Sequence, residues 1–395
     1  MRRSKSLFFV VFSFLLCGVM LTGQRGIAQE LPREWYRLSP DGLTLELWKG
    51  DTAVVNMAAD PFLRRVEYIA PFAFIKLDSL GQAIPDYQIR KFYFSPKIKE
   101  IGRQAFWSVN LKEVHFTEGL QTLGYRSFIE PALQELYLPA SLREYDQSFY
   151  KANQLSEIKV AEGSRTFSVR EHCLISERDS KLLLYPGGLL TLEPILPQKI
   201  VLIGASAFAF HPYIRTISVP EGVTDIEEEA FYAANELTHL KLPSTLQSVG
   251  ARTWLFSGLD TISFAGAFPP KYKSGDLLPK GSPIAMIVVP DGARSIYGED
   301  RQLSLMAREI ITESEYKSLL EISEEKGNEI FTLVDRELTL HLNDTNEEAM
   351  LFDKDGHLVA HYRQSGSYLL MPGMYLLQIG RKSYKLVVRG YDITL

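Results

Sequence analysis

The sequence predicts an α/β solenoid, with one strand plus a short helix or turn in each unit of 22–23 residues, followed by a small antiparallel β-sandwich. Three observations carry this expectation. A hexapeptide idea recurs at Ile101-Gly-Arg-Gln-Ala-Phe106, Leu123-Gly-Tyr-Arg-Ser-Phe128, Ile203-Gly-Ala-Ser-Ala-Phe208, Ile226-Glu-Glu-Glu-Ala-Phe231 and Val249-Gly-Ala-Arg-Thr-Trp254. A second idea, apolar-x-x-apolar-x-apolar, starts at Ile89, Leu111, Leu133, Leu155, Ile214, Leu237 and Leu259, in steps of 22, 22, 22, 59, 23 and 22 residues. Past residue 330 the period changes to alternation, as at Leu338, Leu340 and Leu342.

The chain of 395 residues is 46% hydrophobic and 23% charged, too apolar for disorder and long enough for two domains. Residues 1–28 read as a secretory signal peptide: Arg2, Arg3 and Lys5 precede an apolar run at 7–21, and Gly26 and Ala28 supply the small residues of a cleavage site. The run is shorter than the ~18–20 residues of a spanning helix and nothing later is comparably apolar, so no membrane-spanning segment is expected in the mature chain. Cleavage after Ala28 discards Cys17 and leaves Cys173 as the only cysteine, which rules out an intramolecular disulfide. The formal charge of −5 falls to −9 once the four basic residues of 1–28 are gone. That acidic balance speaks against non-specific nucleic-acid binding, which needs an excess of Lys and Arg.

Residues 29–305 form the repeat array. One long step, between Ala161 and Pro197, places an inserted hairpin at 173–185, and a smaller insertion falls at 78–86. Within each strand motif the last two apolar positions share one face of the strand. A single unit cannot bury that face, so neighbours must stack and share a core. The Gly of the hexapeptide allows a tight bend, and the Ala-Phe pair plugs the layer.

These units resemble the BspA-like class of leucine-rich repeats, through runs such as Leu237-Thr-His-Leu-Lys-Leu-Pro-Ser-Thr-Leu-Gln-Ser-Val-Gly-Ala-Arg-Thr-Trp254. The resemblance implies a leucine-rich-repeat solenoid and a role in adhesion to host matrix proteins or to other cells. Asp41-Gly-Leu-Thr-Leu-Glu-Leu-Trp-Lys-Gly50 is similar to the opening strand of such arrays, and Val289-Pro-Asp-Gly-Ala-Arg-Ser-Ile-Tyr297 to their closing turn. Pro194 departs from the pattern, standing where an apolar strand residue belongs.

Residues 306–330 are charged, with one apolar stripe, and read as a partly helical linker. In 331–395, hairpins are expected around 353–356 and 380–382. The end of this unit, from Gly373 to Arg389, resembles the C-terminal sorting domains of the type IX secretion route. That resemblance implies a secretion machinery as one partner and the outer surface of a Gram-negative bacterium, or the medium, as the destination.

Motifs that carry chemistry are weak. His357 and His361 stand four apart, but on a strand they are too far apart to share a metal. Asp353-Lys-Asp-Gly356 lacks the remaining ligands of a calcium loop. Ser206 mimics a nucleophile elbow but is one copy of the hexapeptide, and Cys173 reads as buried filler. No enzyme, cofactor or metal is expected.

What remains is surface. Two positions per strand point away from the core and line up along the stack. The first ladder reads Lys91, Glu113, Glu135, Glu157, Thr216, His239 and Thr261, and the second Tyr93, His115, Tyr137, Lys159, Ser218, Lys241 and Ser263. The patch of Lys91, Tyr93, Glu113, His115, Glu135 and Tyr137 combines exposed Tyr with charged neighbours, as protein-binding anchors do. The expected function is that of a secreted or cell-surface, non-enzymatic, adhesin-like binding protein whose partner is an extracellular or cell-surface protein. The alternative is a carbohydrate-binding or accessory protein of a surface glycan system, favoured by a deep aromatic-lined pocket at 168–188.

Overall fold

The strand motif delivers its apolar residues to the interior at nearly every copy. Ile89, Phe92 and Phe94, Leu133, Leu136 and Leu138, and Leu237, Leu240 and Leu242 are all buried, while Val114 and Phe116 in the second copy are only partly so. The computed structural model describes residues 30–388 except 85, 87, 108, 274–282, 325–330, 335–336, 343–347, 354–357, 371–372 and 380–381. The signal-peptide reading of 1–28 and His357 lie outside the described residues.

Successive coils pair in parallel and in register. Val54–Asn56, Lys91–Tyr93 and Glu113–His115 form one sheet, and Glu135–Leu138 pairs with Glu157–Val160. Further along, Thr216–Ser218, His239–Leu242, Thr261–Phe264 and Ile284–Val289 continue the same side of the stack. A second side is built from two-residue strands at the hexapeptide, such as Glu100–Ile101, Thr122–Leu123 and Glu144–Tyr145. The array is thus a strand-rich solenoid with few helices: among the described residues most coils are joined by turns, with a 3-10 turn at Leu63–Arg65 and short helices only at the closing end. The turns suffice because the hexapeptide closes each coil by itself.

How it does so differs from the expectation for Gly. A Cβ at Gly102 would stand 2.7 Å from the Ile69 carbonyl oxygen, and one at Gly250 would stand 2.4 Å from the Glu228 nitrogen. Gly therefore lets adjacent coils approach. The bend falls two residues later, at Gln104, Arg126, Gln147, Ser206, Glu229 and Arg252, whose φ values are 50°, 48°, 48°, 58°, 58° and 51°. These non-Gly residues accept the left-handed conformation because the coil closes there. The plug that follows is buried: Phe74, Phe106, Phe128 and Phe149 stack with centroids 4.3, 4.8 and 4.9 Å apart.

The insertion divides the array. Phe167–Arg170, Cys173–Ser176 and Lys181–Leu184 form an antiparallel meander, the hairpin read from the sequence with one strand added before it. All four side chains of Cys173–Ser176 are buried. Leu174 packs into the core of the first half, and Cys173 and Ile175 into that of the second. Among the described residues no sheet passes from one half to the other. The smaller insertion is a two-strand hairpin, Lys76–Leu77 with Ala83–Ile84. At the opening end, buried Asp60 accepts hydrogen bonds from the Leu31, Phe62 and Leu63 amides.

The closing end departs from the expected linker at 306–330. After helices α1 (Arg294–Glu299) and α2 (Arg301–Met306), Ala307–Thr312 forms a further strand paired in parallel with Ile284–Val289. It is the last strand of its sheet and leaves Arg308 and Glu309 exposed, which is why its composition reads as a charged connection. Helix α3 (Glu313–Glu324) follows and seats Tyr316 on Met286, Val288 and Ile311. It also lies against Lys382–Val388.

Residues beyond 330 form two antiparallel sheets. One contains Phe331–Val334, Glu337–Leu340 and Gly366–Leu369; the other contains Leu358–Tyr362, Ala349–Asp353, Gly373–Ile379 and Lys382–Val388. Phe331, Leu338 and Leu340 of the first share an apolar cluster with Ala349, Leu351, Leu377 and Leu386 of the second.

Candidate functional site

The in-register pairing decides which ladder residues meet. Lys91 stands opposite Glu113, and Tyr93 opposite His115. Lys91 Nζ lies 2.6 Å from Glu113 Oε2, while His115 Nε2 lies 2.5 Å from Glu113 Oε1. The Tyr93 and His115 rings stack at 4.2 Å with planes 1° apart. The hydrogen bonds from Lys91 and His115 hold the Glu113 carboxyl below the usual carboxylate range, and the bond to Glu113 raises the Lys91 ammonium.

One coil further, Glu135 stands opposite Glu157 and Tyr137 opposite Lys159. Like charges directly opposed across strands repel, and Lys159 answers both, at 2.8 Å from Glu157 and 3.5 Å from Glu135. Tyr137 is 55% exposed. The strand face thus falls into two separate sheets: Lys91, Tyr93, Glu113 and His115 hold one another in the first, while in the second Lys159 holds Glu157 and Glu135 beside exposed Tyr137. Exposed ion pairs of this kind add little to stability.

The far end of the ladder is closed. Thr261, placed on the open face by its position in the repeat, is buried and pairs with Met286, whose side chain lies in the cluster beneath α3. The apolar run Ile284–Val289 is buried on both faces, and that unbroken run was the available signal for a covered strand.

Other groups singled out from the sequence have structural places. Ser206 is buried at the left-handed hexapeptide position and donates a 2.8 Å hydrogen bond to Gln147 Oε1. Cys173 is buried, and burial pushes its thiol well up. His361 lies 2.7 Å from Glu348 Oε2. The depression at the insertion is lined by residues 159–161, 163–164 and 167–169, with buried Phe167 its one aromatic. Among the described residues no cluster of His, Cys, Asp and Glu could hold a metal ion.

The sequence reading missed His211, which is buried, lies 3.2 Å from the Pro186 carbonyl oxygen through Nε2, and receives the Tyr213 and Ile214 amides at Nδ1. Burial lowers its pKa to about 4. It also missed the joint between the halves, where Arg126 Nη2 donates to Glu229 Oε2 at 2.5 Å across 103 residues of sequence.

Residues 83–176 and 191–273 match the BspA type leucine-rich repeat region, in six copies. The two matched stretches together cover less than half of the chain. The chain is also similar to solved structures of leucine-rich repeat proteins. A leucine-rich repeat protein from Eubacterium ventriosum is 18% identical, with 70% of this chain and 81% of that chain covered and a TM-score of 0.45. The pneumococcal vaccine antigen PcpA is 17% identical, with 70% and 82% covered and a TM-score of 0.40. A leucine-rich cell surface protein from Faecalibacterium prausnitzii is 14% identical, with 71% and 94% covered and a TM-score of 0.39. No curated protein matches the chain. Among the described residues no helix is long and apolar enough to cross a membrane.

Proposed function

We propose that the protein is a secreted or cell-surface binding protein, adhesin-like and without enzymatic activity, that engages an extracellular or cell-surface protein through the strand face of its repeat array. The observation that carries this reading is the patch of Lys91, Tyr93, Glu113, His115, Glu135 and Tyr137. Lys91, Tyr93, Glu113 and His115 are fixed by pairing between coils before any partner arrives, so little of their side-chain freedom is lost on binding. Exposed Tyr137 supplies the aromatic anchor. A screen of the purified protein against extracellular matrix proteins and a glycan array tests this. Binding of a matrix protein at micromolar concentration or below supports it, and no protein ligand at all overturns it.

Export is part of the same reading. The signal peptide at 1–28 carries the chain across the inner membrane, and residues 331–395 act as the sorting domain that the secretion machinery recognises. Deleting 331–395 is expected to leave a folded protein in the periplasm, and fractionation of expressing cells reads this out. A truncated chain that reaches the surface at normal levels reduces 331–395 to an accessory β module.

A further inference from the structure

The insertion brings together side chains that the repeat alone would keep apart. Tyr150, at the end of the first half, meets Phe210 of the second with ring centroids 5.2 Å apart. Phe210 meets Tyr232 at 5.4 Å, and Tyr232 meets Phe256 at 5.5 Å. Each ring is turned by 81°, 64° and 82° from the one before. The row therefore crosses the joint at a nearly constant step, alternating ring edges with ring faces. It follows the plug residues rather than the ladder strands.

Two features set this row apart from core packing. None of its four rings belongs to the buried set, and Phe256 is 49% exposed. Phe210 and Phe256 also sit in left-handed backbone, each with φ of 61°. The same repeat position elsewhere carries Glu130, Lys151 and Ala233. A bulky aromatic in that conformation is strained, and a half-exposed ring returns little burial in exchange.

The charges beside the row indicate what it fits. The Arg126 guanidinium lies 3.7 Å from the Tyr150 ring centroid and the Lys151 ammonium 4.4 Å from that of Phe210. Each already has a carboxylate: Arg126 pairs with Glu229 at 2.5 Å, and Lys151 with Glu130 at 2.5 Å. A polyanion would find its cations taken, and a polycation would compete with them for the carboxylates. What the surface offers is a row of half-exposed rings, alternately edge and face, flanked by balanced donors and acceptors. An uncharged, repeating ligand with apolar C–H faces and peripheral hydroxyls matches both.

We infer that the aromatic row Tyr150, Phe210, Tyr232 and Phe256 is a binding site for a neutral polysaccharide. It is separate from the strand-face patch and does not depend on it. Affinity electrophoresis of the purified protein through gels containing soluble xylan, β-glucan or mannan, with heparin and dextran sulfate as anionic probes, tests the inference. Retardation by at least one neutral probe is expected, weakened at least tenfold by Phe256→Ala and by Phe256→Leu, which keeps the apolar bulk, but retained in Phe256→Tyr and Tyr137→Ala. Melting curves of each variant establish that it is folded. No retardation by any neutral probe, retardation by the anionic probes alone, wild-type behaviour of Phe256→Leu, or an equal loss in Tyr137→Ala would each overturn it.

Discussion

Replacing Phe128 with Ala perturbs the plug that the repeat places in every coil. Phe128 is buried between Phe106 and Phe149, with ring planes 6° and 3° from parallel. Truncating a buried Phe costs about 3–5 kcal/mol in transfer and cavity terms. The stacked pairs with Phe106 and Phe149 and the edge contact with Phe116 add about 0.5–1.5 kcal/mol each. Collapse of the neighbours around the gap is restricted, because each is stacked on the next and the coils are held by in-register hydrogen bonds. The expected loss is therefore about 5–9 kcal/mol, comparable with the whole ~5–15 kcal/mol by which domains are stable. Urea unfolding followed by tryptophan fluorescence measures it, since Trp48 reports on the same core and Trp254 on the second. In a stacked array, contacts run between nearest neighbours, so the Trp48 transition should move to lower urea by more than that of Trp254. A loss under about 2 kcal/mol, or equal shifts in both halves, would refute the reasoning that the plug column holds each half separately.

Two further outcomes follow from single residues. His211 has its folded pKa lowered to about 4 from an ordinary value of 6.5, so between those values the unfolded chain binds a proton that the folded chain does not. Stability should fall as pH drops from about 6.5 to about 4, by up to about 3 kcal/mol from this group, and urea melts at pH 7 and pH 4.5 should differ less in His211→Gln than in the wild type. Gly250→Ala should cost about 1–3 kcal/mol by overpacking, because the new Cβ meets the backbone of Glu227 and Glu228 in the preceding coil; an unchanged melting temperature would show that the coils can part there without cost.

The repeat was legible because each unit needs the same three buried side chains and the same plug, and stacking turns that need into a period. Leu237, Leu240 and Leu242 and the pair Ala230 and Phe231 fall where the motifs place them. The meander at the insertion was legible for a similar reason, since two apolar runs flank a polar turn. The strand Ala307–Thr312 was not, because an edge strand has one neighbour and keeps charged residues outward. The covered end of the ladder was missed for another reason: it depends on α3 folding back over Met286 and Val288, and its signal, the unbroken apolar run Ile284–Val289, lies one strand away from Thr261. Of the candidate site, the pairing of Lys91 with Glu113 and of Tyr93 with His115 followed from the 22-residue step alone. The contacts of Arg126 with Glu229 and of Tyr150 with Phe210 join residues brought together by the insertion, and no spacing rule reaches across it.

The central claim is that the strand face of the first half binds a protein partner. Hydrogen–deuterium exchange of the protein with and without a matrix-protein ligand found in the binding screen tests it most directly. The account predicts added protection in the peptides that carry Lys91–Tyr93, Glu113–His115 and Glu135–Leu138, with little change in the strands beyond residue 330. Protection confined to those C-terminal strands, or to the coils around Tyr232 and Phe256, would contradict it.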